Sequence, residues 1–141
     1  MILLDTNVLS ELMKPPERRT PRVFARMHAF PSDASFTAAV CVAEFLAGIE
    51  VMQPGRRRDE TREIAERVLS VFAEEGILPF DSASARLYAV LLAQRRRAGR
   101  APAPLDLQIA AIAGANGMAV MTRNVSDFEH CGVEIIDPWE P

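Results

Sequence analysis

Short apolar runs separated by helix-length stretches constrain this chain more than any other feature. The runs occupy residues 2–4, 34–37, 77–80, 119–122 and 133–136. Stretches long enough for helices separate the first four, and strands joined by helices prefer right-handed crossovers. We therefore expect an α/β fold, a three-layer α/β/α sandwich whose mainly parallel sheet is covered on both faces.

The helix-length stretches carry recognisable start and stop signals. Pro21 follows Thr20 in an N1-like position, and glycines follow the last three stretches. Helices are predicted over residues 8–13, 21–30, 38–52, 57–75, 82–98 and 104–116.

Length and composition favour one globular domain spanning residues 1–141. Hydrophobic residues make up 49% of the chain, yet no apolar run approaches the roughly 20 residues that a bilayer requires. The N-terminus lacks the pattern of an export signal. The two cysteines, Cys41 and Cys131, have no metal-type spacing, so we expect reduced thiols in a cytoplasmic protein with no membrane partner.

Three acidic residues stand alone in segments that otherwise suit a core. Asp5 is the only charged side chain in the first ten residues, Glu44 the only one in 34–49, and Asp106 the only one in 101–122. Burying an ionised carboxylate without a partner costs more than the marginal stability of a domain allows. Each of the three therefore needs compensation.

Structural explanations exist for each acid. Asp5 could cap the helix that follows it, and Asp106 could interact with the dipole of the helix that Pro104 begins. Glu44 lies inside an apolar helix with no basic residue three or four positions away, so an arginine distant in sequence would have to pair with it.

The positions of the acids favour a shared site. In an open parallel sheet, functional groups gather beyond the carboxyl ends of the strands, where Asp5 lies and where Glu44 and Asp106 can converge. Two carboxylates in contact repel by about 4 kcal/mol at an effective dielectric constant of 20. A divalent cation relieves that repulsion, and oxygen ligands without clustered His or Cys favour Mg²⁺, with Mn²⁺ as a substitute. Such a site suits phosphodiester chemistry.

Further polar groups follow the fourth predicted strand. Thr122 and Asn124 lie at its carboxyl end and Asp127 three residues later, which fits either a capped turn or the rim of the same site. Arginines are the candidates for contacting a phosphate backbone, although solvated helix ends explain them equally well. The candidates are Arg95, Arg96, Arg97, Arg100 and Arg123.

The motifs resemble those of PIN-domain ribonucleases, in particular VapC-type and FitB-like toxins of bacterial toxin–antitoxin pairs. Four segments carry the resemblance in the family's order along almost the whole chain. They are residues 3–11 (LLDTNVLSE), 42–49 (VAEFLAGI), 104–111 (PLDLQIAA) and 122–128 (TRNVSDF).

The resemblance implies a ribonuclease that uses Asp5, Glu44 and Asp106 as metal-centred acids and Thr122 as a supporting hydroxyl. It also implies an RNA substrate, a small antitoxin that covers the acidic cleft, and a homodimer that can join a larger toxin–antitoxin assembly. Many family members have an aspartate where this chain has Asn124, so Asp127 is an alternative fourth acid.

Other functional classes fit less well. Asp5-Thr6-Asn7 lacks the second aspartate of a haloacid dehalogenase-type phosphatase, and the solitary Lys14 fits a receiver domain poorly. No glycines follow the first strand as in a dinucleotide-binding fold. The main alternative is a non-catalytic PIN-like module that binds RNA or protein, for which Asn124 would be the sign of weakened chemistry.

Overall fold

The computed structural model describes residues 1–72 and 74–141, which form a five-stranded sheet in the order β3-β2-β1-β4-β5. Every pairing is parallel, so the predicted mainly parallel sheet is confirmed. The strands are β1 (Ile2–Leu4), β2 (Ser35–Ala38), β3 (Ile77–Leu78), β4 (Ala119–Met121) and β5 (Ile135–Ile136).

Seven α-helices in the described residues connect or flank these strands. Right-handed crossovers put α1 to α4 on one face of the sheet and α5 to α7 on the other. Within these sets, α3 contacts α1 and α4 and α6 contacts α5 and α7, while α3 and α6 also contact each other. In the part of the chain that is described, no helix is long and apolar enough to cross a membrane. The helices are α1 (Thr6–Leu12), α2 (Pro21–His28), α3 (Ala39–Glu50), α4 (Arg56–Leu69), α5 (Ser82–Arg97), α6 (Pro104–Ala115) and α7 (Val125–Phe128).

The register of the central strand β1 makes β1 and β4 end at the same level, with β2 ending one residue further. Leu4, the last residue of β1, pairs with Thr37 of β2 and Met121 of β4. The Asp5 N–H then donates to the Met121 carbonyl at 3.1 Å. Side chains that follow β1 and β4 therefore emerge next to each other at the carboxyl edge of the sheet.

The predicted helix over 57–75 is too long. The described helix α4 ends at Leu69, and the N–H groups of Val71 and Phe72 then bond three residues back, in tighter turns. Val68 and Phe72 are both buried and would share a helix face, so periodicity alone could not locate the end. Ala73, inside the predicted span, lies outside the described residues.

A buried acid that the sequence analysis did not single out links α1 to α2. The Glu11 side chain is only 3% exposed. It accepts hydrogen bonds of 2.6 Å from the Lys14 ammonium and from the Thr20 backbone N–H at the start of α2. Burial favours a higher pKa for Glu11, but these hydrogen bonds outweigh it and lower the pKa below its ordinary value.

We predict that Glu11→Gln destabilises the fold by about 1–2 kcal/mol at pH 7, because a charged hydrogen bond at a buried position is lost. Because the pKa of Glu11 is lower in the folded state, its ionised form stabilises the fold at pH values above the unfolded-state pKa near 4.5. This stabilisation is lost as the pH falls below that value. The difference in free energy of unfolding between wild type and variant, measured with urea, should therefore become smaller below about pH 4. An equal gap at pH 7 and pH 3.5 would contradict this account.

Candidate active site at the carboxyl edge of the sheet

Asp5 is the buried centre of the site. It directly follows β1, caps α1 and is 4% exposed. Oδ1 accepts from the Thr6 N–H at 2.7 Å, while Oδ2 accepts from Thr122 Oγ1 at 2.7 Å and from Asn7 Nδ2 at 2.8 Å. Both predicted roles, helix cap and site residue, are therefore compatible in one side chain. The hydroxyl of Thr122, which follows β4, lies where the resemblance expects it.

Burial raises the pKa of Asp5 even though its hydrogen bonds oppose the shift, and repulsion from Glu44 adds to the increase. Below it, burial and the Asp5 charge raise the pKa of the Cys41 thiol to about 12. Cys41 is therefore an inert thiol, and neither cysteine forms a disulfide in the described structure.

Glu44 contacts the same cluster from α3. Thr6 Oγ1 donates to Glu44 Oε2 at 2.6 Å, and Thr6 is the residue after Asp5. The expectation that Glu44 is buried is wrong, because α3 buries only Cys41, Phe45 and Ile49 and leaves Glu44 exposed. Its neighbour is a hydroxyl from α1, so the alternative of a distant arginine partner is not needed.

Asp106 is half-buried in the first turn of α6. Burial raises its pKa to about 6, with further increases from the charges of Asp127, Asp5 and Glu44 that Arg95 only partly offsets. Among the described residues, no donor is hydrogen-bonded to its carboxylate. Asp106 therefore differs from Asp5 in facing repulsion from other carboxylates with no hydrogen bond from a described residue to offset it, only the charge of Arg95.

Asn124 and Asp127 are the two candidates for a fourth position in the site beside Asp5, Glu44 and Asp106, which we call the fourth corner. Asn124 is exposed, and its backbone N–H, not its side chain, donates to Thr122 Oγ1 at 3.0 Å. Asp127 lies in α7 and is half-buried, and its charge is the strongest of those that raise the Asp106 pKa. The departure of Asn124 from the family's usual aspartate thus leaves an acid at this corner.

The predicted RNA-contacting arginines fall into two groups. Arg95 is 9% exposed and donates to the carbonyls of Ala101 and Asp127, so the prediction that it contacts RNA is corrected. Arg100 likewise uses Nη1 and Nη2 on backbone carbonyls. The other three candidates are exposed at the surface, and they are Arg96, Arg97 and Arg123.

Polar side chains and backbone contacts around the acids, not predicted from the sequence, support the carboxyl edge of the sheet. Asn7 Nδ2 bridges Asp5 and Thr122, and Asn7 Oδ1 accepts from the Arg123 N–H at 3.2 Å. Buried Thr37 donates to the Leu4 carbonyl at 3.0 Å. Polar residues close to the carboxyl end of a predicted strand were the available signal, because a buried polar side chain there must find a partner.

The donor chemistry fits a hard divalent cation. Its oxygens come from carboxylates that repel one another, which is the environment that Mg²⁺ or Mn²⁺ relieves. Within the described ranges, no three acidic, His or Cys side chains form a ready cage. Mg²⁺ does not need one, since it commonly binds through one or two carboxylates and keeps several waters.

Comparisons with known proteins cover nearly the whole chain. The model of the PIN domain family matches residues 2–132. A plasmid stability protein, StbB, of Pseudomonas syringae is 43% identical and a VapC ribonuclease of Sinorhizobium fredii is 42% identical, with 99% or more of each chain covered. Toxin FitB of Neisseria gonorrhoeae is 34% identical over 99% of both chains. The crystal structure of FitAcB from that organism matches all of both chains at 33% identity with a TM-score of 0.89.

We predict that Asp106→Asn stabilises the metal-free protein at pH 8. A folded-state pKa near 6, above the ordinary 3.8, means that ionisation opposes folding once the pH rises through that window. Each kcal/mol gained should raise Tm by about 3–5 °C in a chain of this length. Thermal unfolding in EDTA should show a higher Tm for the variant at pH 8 and no gain at pH 4. A lower Tm at pH 8 would mean that Asp106 is not under repulsive strain.

Proposed function

The chain belongs to the PIN domain family, and from that membership and the acidic site we propose that it is a metal-dependent ribonuclease acting as the toxin of a toxin–antitoxin pair. The observation that carries the proposal is the state of Asp106. This carboxyl is half-buried, its pKa is raised to about 6, and the charges of Asp5, Glu44 and Asp127 act on it. A cation in this cluster would turn repulsion into binding.

Each acid has a distinct role in this proposal. Asp5 and Asp106 would hold the cation, and Glu44 would hold it or one of its waters. Asn7 and Thr122 orient Asp5 through Oδ2. In the same way, the Thr6 hydroxyl orients Glu44, at 2.6 Å. These donors fix the acids before substrate arrives, so that little reorganisation remains during the reaction.

Mg²⁺, or Mn²⁺ in its place, would supply Lewis-acid polarisation of the scissile phosphate and activation of the attacking water. Asp106 must be ionised to bind it, so protonation near pH 6 competes with the cation. Hydrolysis adds water across one P–O bond and is expected to leave 5′-phosphate and 3′-hydroxyl ends. Exposed Arg123, beside Thr122, is the arginine best placed to contact the RNA backbone.

The proposal of a catalytic protein is favoured over a non-catalytic module by the fourth corner. Loss of an acid at Asn124 was the argument for weakened chemistry. Asp127 supplies a negative charge near that position instead, since its charge raises the pKa of Asp106. This negative charge near Asp106 supports a catalytic site rather than a non-catalytic module.

For the antitoxin we propose a docking site in an apolar groove between α1, α2 and α4. The groove has a volume of about 830 Å³ and none of the site's acids lines it. Its lining includes Phe24, Met27 and Val71, and Val71 is 71% exposed. Such a surface fits the apolar face of an amphipathic helix from a small partner protein. The likeness to a protein named as a toxin, FitB, supports an antitoxin as the occupant of the groove.

We predict that Asp5→Asn lowers RNA cleavage by more than about 100-fold, because the substitution removes a cation ligand. Asparagine also caps helices, so α1 should persist and circular dichroism should be unchanged. Cleavage of a single-stranded RNA by wild type should stop in EDTA and return with Mn²⁺.

Asp33→Asn is the matched control, since Asp33 is an exposed acid remote from the site. It should cleave like wild type. Full activity of Asp5→Asn, or cleavage that persists in EDTA, would exclude the proposed chemistry.

We predict that Val71→Asp weakens binding to the proposed antitoxin, a small protein to be sought in the reading frame directly upstream, because a charge in the groove must lose its water on docking. A loss of at least about tenfold in Kd is expected, equal to roughly 1.4 kcal/mol. Val90→Asp is the control, since Val90 is 52% exposed on α5, on the other face of the sheet. Equal Kd values for the two variants would place the partner elsewhere.

A further inference from the structure

Arg95 is an arginine in an unexpected place. It lies in the last turn of α5 with 9% exposure, whereas the following Arg96 and Arg97 are exposed. Arginine is almost never fully buried without partners, because desolvating its charge is unfavourable. The partners of Arg95 therefore indicate what the burial achieves.

The Arg95 guanidinium bonds to two separate segments of the chain. Nε donates to the carbonyl of Ala101, in the connector that leads into α6 and Asp106. Nη1 donates at 2.9 Å to the carbonyl of Asp127 in α7. One rigid planar group thus links the two segments that carry Asp106 and Asp127. Both bonds go to main-chain oxygens and neither to a carboxylate, which leaves the carboxylate oxygens free for a cation.

Arg100 supports the same short helix. Its Nη2 donates to the Ser126 carbonyl at 2.7 Å and its Nη1 to the Glu129 carbonyl at 3.0 Å. The Arg100 N–H also donates to the Arg95 carbonyl at 3.1 Å, so both arginines belong to one turn. Helix α7 has four residues, too few to be stable alone, and its last carbonyls lack partners within the helix. The two guanidinium groups satisfy those carbonyls.

We propose that Arg95, supported by Arg100, is a positioning residue that fixes the spacing between Asp106 and Asp127 for a divalent cation. The proposal rests on the proposed metal-dependent function. Arginine suits the role because its fixed fork reaches two carbonyls at once, whereas the compact ammonium of lysine acts as a point charge on a flexible stem. A lysine in place of Arg95 should therefore keep the positive charge without keeping the spacing between Asp106 and Asp127.

The test is Mn²⁺ binding to the intact, RNA-free protein, measured by the electron paramagnetic resonance of free Mn²⁺. Arg95→Lys should weaken the affinity by about tenfold, the usual effect of removing a group that orients a ligand. Asp127→Asn should give a similar loss. In the Asp127→Asn background, Arg95→Lys should change the affinity by less than about twofold, because the spacing it controls no longer matters.

Arg86→Lys is the matched control, an exposed arginine on the same helix, and it should bind Mn²⁺ like wild type. If Arg95→Lys does not fold, Arg100→Lys takes its place and should also weaken Mn²⁺ binding. The positioning role of Arg95 is overturned if Arg95→Lys loses thermal stability but binds Mn²⁺ as the control does. It is also overturned if the losses of Mn²⁺ affinity in Arg95→Lys and Asp127→Asn add fully in the double variant. Those outcomes leave the proposed function intact so long as Asp5→Asn abolishes binding. Absence of Mn²⁺ binding by wild type would instead overturn the metal-dependent function itself.

Discussion

The parallel register of β1 with both of its neighbours is the constraint on which the site depends. Because Leu4 pairs with Thr37 and Met121, β1 and β4 end at one level and β2 ends one residue further, so the residues that follow β1 and β4 must share a small space. The bond from Thr122 to Asp5 crosses that space. A slip of one residue would turn the following side chains to the other face of the sheet. Core packing and site geometry are therefore fixed by the same pairing.

Two acids in otherwise apolar surroundings show how partners decide what a carboxylate does. Glu11 receives two donors at 2.6 Å, and its pKa falls. Asp106 has no bonded donor among the described residues and three repelling charges, and its pKa rises to about 6. Glu11 therefore joins two helices, whereas the surroundings of Asp106 favour its neutral form when no cation is bound. Sites under such local conflict are where function is expected, since folding alone would favour their removal.

The sequence alone could predict that the sheet is parallel and that acids lie near the carboxyl ends of its strands, because both follow from patterns a few residues long. Asp5 and Asp106 stood out as isolated charges, and both lie in the site. The exposure of Glu44 could not be predicted, since an apolar helix does not reveal that it buries only one narrow face. The end of α4 was hidden by apolar residues that continue its period. The role of Arg95 was equally hidden, because a run of arginines looks the same whether one of them turns inward or all face solvent.

The pair formed by Lys14 and Glu11 has a consequence for experiments with this chain. Lys14 is the only lysine in the sequence, and it lies at the rim of the groove while its ammonium contacts Glu11. Amine-directed reagents can thus modify one side chain, that of Lys14, in addition to the N-terminal amine. The Lys14 amine sits where an occupant of the groove would pass over it. A label attached to Lys14 would therefore report on the groove without the introduction of a cysteine.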